Sequence, residues 1–132
     1  MVDKIAKDLL VDTITELIVK VGQRIIKGIV SPIDRKATIE AISSIQKATI
    51  KTRNFISDSG YRRNEELSDL WHDALNKAIV AKLGDNIPDY LYQKAKFWGE
   101  PSDWLNEPES LRLVPKLSQL DETCEMLLMK LK

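Results

Sequence analysis

The N-terminal thirty residues carry the apolar pattern that most constrains what this chain can fold into. Apolar residues recur there at spacings of three and four, which is the period of one helix face, at Leu10, Ile14, Leu17, Ile18, Val21, Ile25 and Ile29. A second set widens that face, namely Val11, Val19, Ile26 and Val30. The pattern predicts a helix from about Val2 to Val30 whose apolar surface needs cover from the rest of the chain, a second copy or another protein.

Helix start and stop signals divide the remaining sequence into four further helices. Ser31-Pro32 marks the start of helix two, because serine is a good N-cap and proline is tolerated at the first helical position. Helix two is expected to reach about Asp58, and Asn64 is expected to cap helix three. A short fourth helix is expected near Asp89 to Trp98, and the strong part of the last helix begins at Pro115.

These helices predict an all-α fold of about five helices, with residues 1–132 as one antiparallel helical-bundle domain. The short joint at Ser31-Pro32 favours a long N-terminal helical hairpin made of helices one and two. Gly84 is expected to stop helix three. The last helix carries an inward heptad stripe of Leu117, Leu120, Cys124, Leu127 and Leu131.

The charge balance argues against a dedicated nucleic-acid binder. Net charge is zero overall, although residues 1–60 carry ten basic and seven acidic side chains and residues 61–132 carry ten and thirteen. The halves are therefore at +3 and −3, which is a mild dipole compared with the strongly basic balance of such binders. This dipole is compatible with head-to-tail contacts between copies or with contacts to another protein.

Cysteine usage and the interrupted apolar runs predict a cytoplasmic protein. Cys124 is the only cysteine, so the chain cannot form an internal disulfide. Asp3, Asp8, Asp12 and Glu16 break the N-terminal apolar runs, which argues against a signal peptide and against a transmembrane segment.

The residues that commonly carry catalysis do not form a recognisable set. Asp69 and His72 share a helix face, but di-metal bundles repeat such a pair on a second helix, and this chain has one histidine. Arg63 and His72 are separated by eight intervening residues, which is too many for the Arg-spacer-His motif of HEPN-type helical RNases. Cys124 lies on the heptad stripe, where a free cysteine behaves as a small hydrophobe. We therefore expect no catalytic residue, cofactor or metal, and no enzyme activity.

Basic residues near the end of helix two form a possible anion contact. Lys47 and Lys51 are one helical turn apart, and Arg62 and Arg63 follow in the next loop. No glycine-rich loop and no row of aromatic residues accompanies them, so solvated positive charge is the simpler interpretation. Nucleic acid is accordingly the less favoured partner.

Three tryptophans form part of a sequence pattern over residues 51–104 that resembles a known group of proteins. Trp71 has helical spacing with its apolar neighbours and is expected in the core, while Trp98 and Trp104 bracket a proline-containing loop. The strings KTRNFISDSG, ELSDLWHDA and KAKFWGEPSDW resemble small bacterial all-helical proteins of unassigned function. They share Leu-x-x-Leu-Trp followed by Lys-x-x-aromatic-Trp-x-x-Pro-x-x-Trp. The resemblance covers less than half of the chain and implies a bacterial or mobile-element origin and a binding role, without an activity.

The favoured function is that of a non-enzymatic helical interaction or oligomerisation module acting through the N-terminal helix. Its partner would be a second copy or another protein, with contacts from among Val11, Ile18, Val19, Ile26 and Val30. Two alternatives stay open. One is a membrane-surface or cell-death-like bundle whose first helix inserts at an interface. The other is an accessory nucleic-acid-binding protein that uses the basic residues of helix two and the following loop.

Overall fold

The described part of the chain is helical, with short turns at helix ends and no strand. The computed structural model describes residues 14–25, 27, 32–59, 63–83, 87–99 and 113–131. We number the helices α1 (residues 14–25), α2 (Pro32–Ser59), α3 (Glu65–Val80), α4 (Ile87–Gly99) and α5 (Leu113–Leu131). The predicted all-α bundle of about five helices is confirmed.

Helix α2 lies between α3 and α5 in the described bundle and packs against both. Its inward face is fully buried at Ile42, Ile45 and Ala48. Thr49 lies on the same face, and its hydroxyl donates to the carbonyl oxygen of Ile45 at 2.7 Å. Since a buried hydroxyl is costly unless it is hydrogen-bonded, this bond within the helix lets a threonine occupy the core face.

Helices α3 and α4 form an antiparallel pair. The backbone N–H of Asn64 donates to the carbonyl of Trp98 at 3.1 Å, and the hydroxyl of Ser68 donates to the carbonyl of Ala95 at 2.6 Å. Between these two hydrogen bonds, the residue number rises from Asn64 to Ser68 on one side and falls from Trp98 to Ala95 on the other. The two helices therefore run antiparallel. Asn64 also caps α3 as predicted, because its side-chain oxygen accepts the N–H of Leu67 at 3.0 Å.

Two tryptophans anchor these helices to α2. Trp71 is fully buried, as predicted, and its indole N–H donates to the hydroxyl of Thr52 at 2.9 Å. Trp98 is also fully buried, and its ring meets Phe55 edge to face with 5.9 Å between centroids. Trp104 lies outside the described residues.

The C-terminal end of α3 differs from the expected glycine stop. Lys82 has φ of 57°, which is the left-handed conformation usually taken by glycine. Its N–H donates to Ile79, and the N–H of Leu83 donates to Ala78, both at 3.0 Å, which is the Schellman pattern. Helix α3 therefore ends before Gly84, which lies outside the described residues.

Helix α1 packs along α5. Its buried face carries Ile14, Leu17, Ile18, Val21 and Ile25. A Cβ built on Gly22 would lie 3.1 Å from a methyl carbon of Leu127, so the two helices approach closely at this point. Residues 1–13 and 28–31 lie outside the described residues, and the long hairpin of helices one and two stays a prediction.

Candidate functional site

A groove runs between α1 and α5 on the outside of the bundle. It has a volume of about 210 Å³ and is lined by Ile18, Val19, Gly22, Gln23, Thr123, Met126, Leu127 and Lys130. We call it the α1/α5 groove. Ile18 and Leu127 are buried beneath it, so its floor is apolar.

Gly22 provides part of the space in the α1/α5 groove. Glycine in a helix interior lowers helix stability by about 1 kcal/mol relative to alanine. Its presence in the middle of α1 therefore indicates that the position has little space for a side chain. The neighbouring side chain is Leu127, which would have to shift by a few tenths of an ångström to admit a methyl group at this position. A missing side chain on α1 thus keeps the two helices close while leaving an opening above them.

Val19 and Met126 are exposed apolar side chains that line this groove, and Met129 is exposed on α5 without lining it. Val19 is 45% exposed on α1, while Met126 and Met129 are 62% and 70% exposed on α5. Methionine side chains are flexible and polarisable, and they are over-represented on surfaces that adapt to a partner. Neither methionine is among the interaction residues predicted from the sequence. The available signal was their position off the leucine stripe of α5, at a spacing of three.

The outward face of α1 beside the groove is basic. Lys20, Arg24 and Lys27 are all exposed there, and Lys130 lines the groove from α5. Glu16 is the acidic member of the same exposed face. A partner with an apolar face and acidic flanks would match this arrangement.

On its other side, α5 is joined to α2 by polar contacts. The side-chain amide of Gln46 donates to Asp121 at 3.0 Å and to Glu125 at 2.7 Å. The guanidinium of Arg53 donates to Asp121 at 3.1 Å. These contacts engage two of the three neighbouring acidic side chains and leave Glu122 exposed, with no ion pair among the described residues.

The predicted interaction residues have different positions in the structure. Ile18, expected at a partner contact, is fully buried in the chain's own core and forms part of the groove floor. Val19 is exposed at the groove. Val11, Ile26 and Val30 lie outside the described residues.

The predicted anion contact is only partly assembled in the described chain. Lys47 and Lys51 are exposed one turn apart on α2. Arg63 forms an exposed ion pair with Glu65 at the start of α3, so its charge is already partnered. Arg62 lies outside the described residues.

The titratable residues considered for catalysis do not converge. Asp69 and His72 are exposed, and the imidazole of His72 contacts Tyr92 edge to face at 6.3 Å. In the described ranges no group of three potential metal ligands occurs. Cys124 is fully buried on the α5 stripe, as predicted.

Burial makes the Cys124 thiol a poor nucleophile at neutral pH. The pKa of this thiol is raised from 9.0 to about 12, mainly by desolvation on burial and to a smaller extent by the nearby carboxylates of Asp121 and Glu125. Because the thiolate is the reactive form, the protonated thiol acts as a core side chain.

A buried lysine on α4 is a further residue that was not predicted from the sequence. Lys94 is 2% exposed, and its amine lies 5.9 Å from the centre of the Trp71 ring. This is within the range of a cation–π contact. The signal was present in its spacing, because Lys94 shares the inward face of Leu91 and Trp98.

Comparison with known proteins finds no family model that matches the chain, and no curated protein or solved structure that matches it. The resemblance to small bacterial helical proteins therefore stays a prediction. Within the described helices, none combines the length and apolar character needed to cross a membrane.

Proposed function

We propose that this chain is a non-enzymatic helical interaction module that associates through the α1/α5 groove. The observation that carries the proposal is the exposure of Val19 and Met126 on either side of a groove with an apolar floor. Burying such side chains stabilises a complex by about 25 cal/mol per Å² of apolar area removed from water.

The shape of the groove favours a helix as the docking element. Two packed helices leave a furrow along their axes, and an amphipathic helix presents side chains at spacings of three and four into such a furrow. Methionine on the rim suits this mode because its side chain can adjust to the incoming surface.

The proposed contact surface lies between α1 and α5, whereas the sequence favoured the N-terminal helix alone. Ile18 supports the floor from within the core, while Val19 is available at the surface. Cytoplasmic location belongs to the same proposal and is supported by a single cysteine that is a buried thiol.

A concentration series in sedimentation velocity tests the proposal. The unmodified protein should sediment faster as concentration rises, and Val19→Glu should remove this dependence by placing a charge on the groove. Ile79→Glu is the matched control, because Ile79 is 55% exposed on α3 and does not line the groove. A monomer at every concentration, or association that Val19→Glu leaves unchanged, would contradict the proposal.

A further inference from the structure

A row of three exposed residues follows the outer face of α5 with opposite charges at its two ends. Glu122, Met126 and Lys130 are spaced by four, so they form one ridge along the helix. In the described part of the chain, neither Glu122 nor Lys130 has an ion-pair partner. The ridge therefore carries an acidic group, an apolar group and a basic group that are all available for contact.

This ridge is complementary to itself when it is read in the opposite direction. In an antiparallel pair of α5 helices with the two-fold axis at Met126, each residue four positions before Met126 faces one four positions after it. Glu122 then faces Lys130 of the second copy, and this contact occurs twice. The two Met126 side chains meet on the axis, and Thr123 faces Met129 of the second copy.

A parallel pairing of the same ridges is disfavoured by charge. It would place Glu122 against Glu122 and Lys130 against Lys130, and like charges across a contact are unfavourable. The antiparallel arrangement is also isologous, which is the interface type of two-fold dimers, the commonest symmetric oligomers.

We infer that the occupant of this face is a second copy of the chain, bound antiparallel along α5 with Met126 on the two-fold axis. This inference rests on the proposed function and specifies its partner and geometry. Each Met126 then lies at the mouth of the other copy's α1/α5 groove, beside Val19. One helix pair falls below the roughly 1,200 Å² of a standard interface, so the dimer is a weak, reversible one.

A charge-swap series tests the pairing by sedimentation equilibrium. Glu122→Lys and Lys130→Glu should each weaken the dimer about fivefold to tenfold, because two attractive contacts become repulsive. The double variant Glu122→Lys with Lys130→Glu restores opposite charges and should dimerise as the unmodified protein does. Asp69→Lys, an exposed charge reversal on α3, is the control and should have no effect. Circular dichroism confirms that each variant is folded.

A cross-linking experiment tests the position of the axis independently. Under oxidised glutathione, Met126→Cys should form a covalent dimer, because the two introduced thiols meet on the axis and are oxidised to one disulfide. Asn76→Cys, on the exposed face of α3, should stay largely monomeric. Buried Cys124 does not compete, since its thiol is protonated at neutral pH.

The outcomes separate this inference from the proposed function. Failure of the double swap to restore the dimer, together with no preferential cross-link at Met126→Cys, overturns the α5 pairing. If Val19→Glu still abolishes association in that case, the groove keeps its role with another geometry. A monomeric unmodified protein overturns both.

Discussion

The helices packed on the two sides of α2 both carry apolar residues at helical spacing, but their apolar side chains are buried to different degrees. On the flank formed by α3 and α4, Trp71 and Trp98 are fully buried, and the indole of Trp71 is hydrogen-bonded to Thr52. On the flank formed by α5 and α1, Cys124 is equally buried, yet Val19 and Met126 are exposed above it. Large rigid side chains close one flank, and a glycine with flexible methionines leaves the other open.

This difference shows how one bundle can combine stability with a surface for association. Tryptophan fills space and fixes helix positions, and its removal leaves a cavity that the surroundings fill only partly. Exposed methionine contributes little to the fold, so it is free to contribute to binding. The closed flank is therefore expected to determine stability, and the open flank to determine association.

The largest expected effect tests the closed flank directly. Trp71→Ala should lower the free energy of unfolding by about 3–5 kcal/mol, because it creates a cavity and leaves the Thr52 hydroxyl without its donor. Met126→Ala, a truncation on the open flank, should change it by less than about 0.5 kcal/mol. Urea unfolding measures both. Equal losses in the two variants would show that the flanks do not differ in this way.

Alkaline pH tests whether the core beneath the open flank is dry. The folded pKa of Cys124 is about 12, above its unfolded value of 9.0, so its contribution is fully present below pH 9 and is lost as the pH rises toward 12. At pH 10 the Cys124 thiol ionises in the unfolded chain but stays protonated in the folded one, which lowers the free energy of unfolding by about 1 kcal/mol. Between pH 8 and pH 10, the unmodified protein should therefore lose about that much more than Cys124→Ala does. Parallel losses in urea unfolding would indicate water beneath α5.

The end of α3 offers a stabilising change on the closed flank. Lys82→Gly should raise the free energy of unfolding by about 0.5–1 kcal/mol, because glycine adopts the left-handed conformation at φ of 57° without steric strain. Lys82→Ala keeps that strain and serves as the control for loss of the charge. A gain in the alanine variant equal to that of the glycine variant would assign the effect to charge.

The smallest expected effect concerns the open flank. Gly22→Ala should stabilise the chain by about 0.5 kcal/mol, because alanine favours the helix and Leu127 can shift toward the groove by the few tenths of an ångström that the new methyl requires. Gln23→Ala, at the neighbouring exposed position, is the control for helix propensity alone. A clear loss of stability in thermal unfolding would mean that Leu127 is held rigidly and that the groove is narrower than described.

Local signals were sufficient for several features of the candidate site. The leucine stripe placed Cys124 inward, and the cap residue Asn64 marked the start of α3. Trp71 was correctly assigned to the core by its spacing. Each of these depends on residues within about two helical turns, which is the range over which a sequence pattern acts directly.

Other features could not be predicted from local sequence patterns, because packing between helices outweighed the usual preference of the residue type. Lys94 carries a charge that usually stays in water, yet the inward face of α4 places it against Trp71. Lys82 occupies a position where glycine is normally expected, because the Schellman hydrogen bonds hold it there. Met126 and Met129 lie beside the leucine stripe of α5, so the stripe itself does not predict their exposure.

The sequence by itself determined that the chain is helical, where most of its helices lie and which stripe of each is apolar, because these properties follow from the 3.6-residue period of the backbone. Only the tertiary structure decided which of two adjacent β-branched residues on α1 is covered. Ile18 and Val19 are neighbours with nearly the same chemistry, yet the first is fully buried and the second is 45% exposed. Burial depends on contacts between segments that are distant in the sequence, here the packing of α1 along α5, and helix periodicity does not specify which segments meet.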